Sequence, residues 1–112
     1  MITVTATNFE ADIVQATKPV MLDVWVSWCA PCRMMEPVVS EIDAELSDQL
    51  ITAKLNADAE PELTQKLGVM GLPSFVMMRN GQIIHSSTGA KPKAVLVAEL
   101  GQYLGVKVAR SE

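Results

Sequence analysis

The side chains best suited to chemistry in this chain are its two cysteines, in the run Trp28-Cys29-Ala30-Pro31-Cys32. A strand pattern precedes them and a helical pattern follows, so both thiols fall where a strand hands over to a helix. The thiolate is the reactive form of cysteine, and the free N–H groups of a helix N-terminus lower a thiol pKa. Cys29 stands at that terminus and is the better nucleophile. Cys32, one turn further in, can close a short disulfide ring with it. The dipeptide between them carries no charge and no histidine, which leans toward a reducing couple rather than a strong oxidant.

Three plainer readings compete. A structural disulfide over so small a loop removes little unfolded-state entropy. Half a zinc site needs two more ligands, and the single histidine, His85, lies far off in a predicted strand, so no metal is expected. A pair of cysteines present only for packing seldom falls at this spacing and place.

Asp23 is the second candidate. It interrupts Val20-Met21-Leu22-Asp23-Val24-Trp25-Val26, where an ionised carboxylate would cost several kcal/mol in desolvation unless paired or protonated. Such perturbed acids often mark functional sites, the plainer alternative being a hydrogen-bonded core acid. Glu36 lies one helical turn past Cys32 and could bias that thiol's proton, although a solvated helix face explains it more simply. His85 is expected as an exposed edge-strand residue. The seven methionines are expected as core filler, Met70 excepted.

The elements that must position these groups follow from pattern and punctuation. Ile2 to Thr5 suits a short strand, and Thr7-Asn8-Phe9-Glu10 has the form of a capping box opening a helix to about Ala16. Val20 to Val26 lacks polar alternation, as in a strand buried on both faces. A long helix is predicted over Pro31 to Leu46, with Pro37 kinking it near its start. Ile51 to Asn56 suits a strand and Pro61 to Leu67 a short helix stopped by Gly68. Pro73 to Met78 and Gln82 to Ser87 flank Arg79-Asn80-Gly81, a strong hairpin signal. A last helix is predicted from Pro92 to Leu104, with residues 105–112 as a tail free to fray. This order predicts an α/β fold, a central mixed sheet with helices on both faces.

Composition bounds the function. At 112 residues the chain is expected to form one domain, 1–112. A net charge of −4 without any basic run argues against nucleic acid or an anionic membrane as partner. The longest apolar stretch is too short to span a bilayer. The N-terminus carries no secretory pattern and two cysteines make no disulfide-dense scaffold, so a reducing, cytoplasmic setting is expected.

WCAPC, preceded by Asp23 and Trp25 and followed by Pro37, resembles the active-site segment of the thioredoxin family. Ala53-Lys54-Leu55-Asn56, Gly71-Leu72-Pro73-Ser74, Asn80-Gly81 and Gly89-Ala90 fall in that family's order and spacing, so the resemblance covers nearly the whole chain. It implies a thioredoxin fold and a thiol–disulfide oxidoreductase that reduces protein disulfides, with Cys29 attacking and Cys32 resolving. Asp23 would handle the proton of Cys32, with Lys54 as its neighbour. Trp28 and Pro73 would flank the disulfide, Gly71, Leu72 and Ala90 would line the substrate groove, and Ala30, Pro31 and Met70 would complete the binding surface. A cis Leu72–Pro73 bond is expected on the same ground. The resemblance implies no bound cofactor, a monomer, disulfide-containing protein substrates, and recharging by an NADPH-dependent flavin thioredoxin reductase. The chain departs from the commonest pattern at Ala30, where glycine is usual, and at Glu36 and Met70. Two other functions remain open at this point: an oxidant or isomerase in an oxidising compartment, and a binding or holdase module that turns nothing over.

Overall fold

The computed structural model describes residues 1–108. Its centre is the strand β2 (Val20–Trp25), with β1 (Ile2–Thr3) preceding it and β3 (Ile51–Asn56), β4 (Ser74–Arg79) and β5 (Gln82–Thr88) following. The sheet order is β1-β3-β2-β4-β5. β1, β3 and β2 run parallel, whereas β4 pairs antiparallel with β2 and β5 with β4. Three α-helices complete it: α1 (Ala30–Leu46), α2 (Pro61–Lys66) and α3 (Lys93–Leu104). The mixed α/β architecture expected from the element order is the one observed.

Because alternate residues of a strand face opposite ways, β2 feeds two cores. Met21 points with Phe75 and Met77 toward Met35, Val39, Ile42 and Leu46 of α1 and Leu96, Leu100 and Leu104 of α3. Val20, Leu22 and Val24 point the other way, with Ala53, Leu55, Val76 and Met78, toward Val4, Ile13 and Leu63. Each such side chain taken fully from water contributes roughly 1.5–3 kcal/mol before entropy is charged against it. Asp23 shares the parity of Met21 and Trp25, so it is turned toward the α1 and α3 side.

The ends of the elements differ from expectation in instructive ways. β1 stops at Thr3, although the Val4 N–H still reaches the Lys54 carbonyl (2.8 Å). The reason is local: the Asn8 amide oxygen takes the Thr5 N–H (2.8 Å), and the Thr5 hydroxyl accepts the Asn8 N–H (3.3 Å). That reciprocal pair opens the next turn in place of the Thr7 and Glu10 box, and only Glu10–Val14 follows, as a short π-helical segment. α1 continues through Pro37, whose missing N–H leaves the Arg33 carbonyl without its helical donor. The hairpin forms as predicted, with Asn80 (φ 52°) and Gly81 (φ 76°) both in the left-handed region that a primed turn requires.

The C-terminal segment is anchored further than predicted. Gly105 (φ 68°) ends α3, Val106 is buried in the α1 and α3 core, and Gln49 exchanges two hydrogen bonds with the Lys107 backbone (2.6 and 2.7 Å). The remainder of the expected frayed tail, 109–112, lies outside the described residues.

Candidate active site

β2 ends at Trp25, and Val26 accepts the Cys29 N–H through its carbonyl (3.4 Å). That turn makes Cys29 the N-cap of α1. Its sulfur accepts the backbone N–H of Cys32 at 3.2 Å, and its carbonyl accepts that of Arg33 at 3.2 Å. Cys29 and Cys32 are joined as a disulfide, with their Cα atoms 5.3 Å apart. Both are buried, Cys29 less so (8% against 3%), so an incoming group meets Cys29 first. Val26 packs with the pair, and Trp25, Ala57 and Leu72 close around it.

Several of the expected site residues are exposed. Trp28 is 72% exposed and Met70 94%, and Ala30, Pro31 and Ala90 are exposed as well. Trp28 is not loose: its indole N–H donates to Asp58 Oδ2 (2.8 Å). Asn56 Oδ1 in turn accepts the N–H groups of Asp58 (2.9 Å) and Ala59 (3.3 Å), fixing the loop after β3. Sequence reasoning missed Asp58. The signal was there in Asn56-Ala57-Asp58 at a strand end, the setting for an Asx turn.

Gly71, Leu72 and Pro73 lead into β4, and Leu72 packs on the cysteine pair. The Leu72–Pro73 peptide is cis, as expected. The Ser74 hydroxyl donates to the Gly71 carbonyl (2.6 Å) and sits 3.3 Å from the Thr88 hydroxyl, while Gly89 N–H donates to the Pro73 carbonyl (2.8 Å). A Cβ on residue 71 would lie 2.9 Å from Thr88 Cγ2. A side chain there would force the Thr88 methyl to shift. The same hydrogen bonds tie the segment carrying Ala90 to the one carrying Leu72.

Asp23 is 2% exposed. Lys54 stands opposite it on β3 and Phe75 opposite it on β4. Burial raises its pKa from 3.8 to about 6, Lys54 partly offsets that rise, and the Glu36 carboxylate adds to it. Glu36 is solvent-exposed as predicted, but the acid it influences is Asp23. Lys54 does not pair with Asp23: the three ion pairs among the described residues lie elsewhere. Its ammonium sits 4.7 Å from the centroid of the Trp25 ring.

His85 corrects an expectation. It is half-buried rather than exposed, stacked on Tyr103 (3.8 Å between centroids) and 3.5 Å from Glu99 Oε1. The β5 edge presents it to α3, which covers that face. A groove of about 810 Å³ between α1 and α3 holds none of the site residues.

A disulfide at a helix N-terminus, more accessible at its first sulfur, suits thiol–disulfide exchange. A family model described as thioredoxin matches residues 1–102. The chain is 40% identical over 102 residues to a thioredoxin of Alicyclobacillus acidocaldarius, covering 91% of this chain and 96% of that one. It is 36% identical over 101 residues to thioredoxin 1 of Synechococcus elongatus, covering 90% and 94%. It is also 40% identical over 99 residues to a bifunctional thioredoxin reductase/thioredoxin of Mycobacterium leprae, where 88% of this chain spans 22% of the longer protein. The chain belongs to the thioredoxin family. It is a thiol–disulfide oxidoreductase that reduces protein disulfides through Cys29 and Cys32.

Proposed function

We propose a division of labour within this reaction. Cys29, as thiolate, attacks a substrate disulfide and forms a mixed disulfide, releasing one substrate thiolate. Cys32 then loses its proton to Asp23 and attacks Cys29 Sγ, closing the intramolecular disulfide and releasing the second substrate thiolate. Two electrons pass from the dithiol to the substrate. The observation that carries the assignment is the hydrogen bond from Cys32 N–H to Cys29 Sγ: it stabilises negative charge on Cys29 alone. Asp23 suits the acceptor role because its pKa of about 6 lies near the working range of a general base at neutral pH. Lys54 moderates that value.

Trp28, Ala30, Pro31, Met70, Gly71, Leu72, Pro73 and Ala90 form the substrate surface in this reading. An extended apolar segment would lie along it, pairing its backbone beside Leu72 and Pro73. The regenerating partner is an NADPH-dependent flavin thioredoxin reductase. The Mycobacterium leprae relative, whose name joins a thioredoxin reductase to a thioredoxin, supports a reductase of that general kind. The protein acts as a monomer of one domain, 1–112, in the cytoplasm, without a bound cofactor or metal. No helix among the described residues is long and apolar enough to cross a membrane.

The test uses single cysteine variants. Cys32→Ser should accumulate mixed disulfides with substrate proteins, and Cys29→Ser should form none. Equal trapping by both would overturn the division.

A further inference from the structure

We propose that Trp25 is a positioning residue for the proton chemistry: its indole face holds the Lys54 ammonium and keeps it from pairing with the Asp23 carboxylate. The proposal rests on the reading of Asp23 as proton acceptor. Three observations carry it. Lys54 is level with Asp23 across the parallel β2–β3 register and on the same face of the sheet, so the two side chains are neighbours. Yet Lys54 forms no ion pair with Asp23, and its Nζ lies 4.7 Å from the Trp25 centroid, within cation–π range. The Trp25 indole N–H is buried without a hydrogen-bond partner, so its face on Lys54 and its packing on the cysteine pair are what hold the ring.

Asp23 and Trp25 stand two residues apart on one strand and therefore share a face. A lysine between them must divide its charge between a ring and a carboxylate. A full ion pair would favour the ionised carboxylate and spoil it as an acceptor at neutral pH. Attraction to the ring keeps the cation near, but weakens its hold on Asp23. The other ionisable group acting on Asp23 is Glu36 on α1, and uncharged Phe75 stands opposite it on β4.

The experiment follows the Asp23 carboxyl resonance by carbon NMR against pH in the full-length protein. Trp25→Leu frees Lys54 and should lower the Asp23 midpoint by about one pH unit. Trp25→Phe, which keeps a weaker ring face, should lower it less. In a Lys54→Met background, Trp25→Leu should move the midpoint no further. An unchanged or raised midpoint in Trp25→Leu overturns the proposal. So does an equal downward shift in the Lys54→Met background, which would mean that water entry is the cause. Should Trp25→Leu not fold, the wild-type protein still decides. Lys54 ε-methylene protons shifted upfield by the ring support the contact, and protons at ordinary positions refute it. Single-turnover release rates separate this from the parent reading. If the midpoint shifts and the rate profile does not follow, Asp23 is not the acceptor, while the placement of Lys54 by Trp25 stands.

Discussion

Two carboxylates face lysines on the α1 and α3 side of this sheet, and they are treated in opposite ways. Glu99 on α3 is held at both oxygens, with His85 Nε2 3.5 Å from Oε1 and the Lys91 ammonium Nζ 3.7 Å from Oε2. Lys91 also donates to the Ser87 hydroxyl, and Tyr103 stacks on His85. Every charge there has an opposite charge beside it and an edge toward water. Asp23 has no ion pair and no edge toward water: it is buried, its lysine leans on Trp25, and its pKa is raised to about 6. A fold that saturates one acid with partners, yet buries another without an ion pair, sets a clasp apart from a candidate working group. The surfaces above them differ in the same sense. The cysteine pair packs on Val26, Trp25, Ala57 and Leu72, while the β5–α3 edge displays its charges.

The largest effect expected from this contrast is on stability. In the native state Asp23 keeps its proton up to about pH 6, whereas the unfolded chain releases it near 3.8. The native state thus binds more protons across that window. Stability is full below it, falls as pH rises through it, and stays reduced above it, by about 3 kcal/mol. Asp23→Ala should abolish that slope and raise stability at pH 7 by about 1–3 kcal/mol, since an apolar group replaces a costly ionisable one. Urea unfolding at a series of pH values measures it. The same variant should leave attack by Cys29 intact and slow release of reduced substrate, read in single turnovers near pH 7. A variant that is less stable and resolves at the wild-type rate would make Asp23 a structural acid like any other.

A smaller effect is expected where charge is added to the rim. Met70 is almost wholly exposed beside Gly71, and a thioether there adapts to irregular apolar partners. Met70→Arg should raise KM for apolar disulfide peptides relative to acidic ones by a few-fold, leaving kcat nearly unchanged, because an exposed charge is worth about 1 kcal/mol or less. An unaltered KM ratio would show that the rim is apolar without selecting for it.

How much of this could be seen in the amino-acid sequence depended on whether the determinant was local. The strand–helix handover at Trp28 to Cys32, the Asn80-Gly81 turn and the apolar run around Asp23 are signals within a few residues, and they placed the sheet, the hairpin and the cysteine pair. Asp23 was singled out because a carboxylate inside Val20 to Val26 has no inexpensive solution. The raised pKa bears that out, as does the offset by Lys54. What escaped were contacts between distant segments. Asp58 on the Trp28 indole, Thr88 pressing on Gly71, Trp25 under Lys54, and His85 stacked on Tyr103 all join elements whose mutual placement no local pattern encodes. The N-terminal turn was misplaced for a related reason. Two overlapping capping pairs were available, and the Asn8 amide captured the Thr5 N–H before the Thr7 box could form.

The smallest effect belongs to the clasp, and there the contrast is most exposed to failure. Glu99→Gln keeps the side chain's shape and a carbonyl oxygen that can still accept from Lys91, so it removes charge without opening a cavity. The ion pairs it weakens are partly solvated, with the Glu99 side chain 20% exposed, His85 29% and Lys91 13%. Pairs of this kind contribute about 0.2–1 kcal/mol. The loss of stability at pH 7 should therefore stay near that range and shrink with added salt, which screens exposed charges. The exchange reaction should not notice: the rate of mixed-disulfide resolution and its dependence on pH should match wild type, because Glu99 touches neither cysteine nor Asp23. Chemical unfolding at two salt concentrations and a single-turnover pH profile decide the matter. A pH profile displaced by Glu99→Gln would mean that the edge cluster reaches the reacting sulfurs through β5 and the Ala90 segment, and the two acids would then belong to one electrostatic unit.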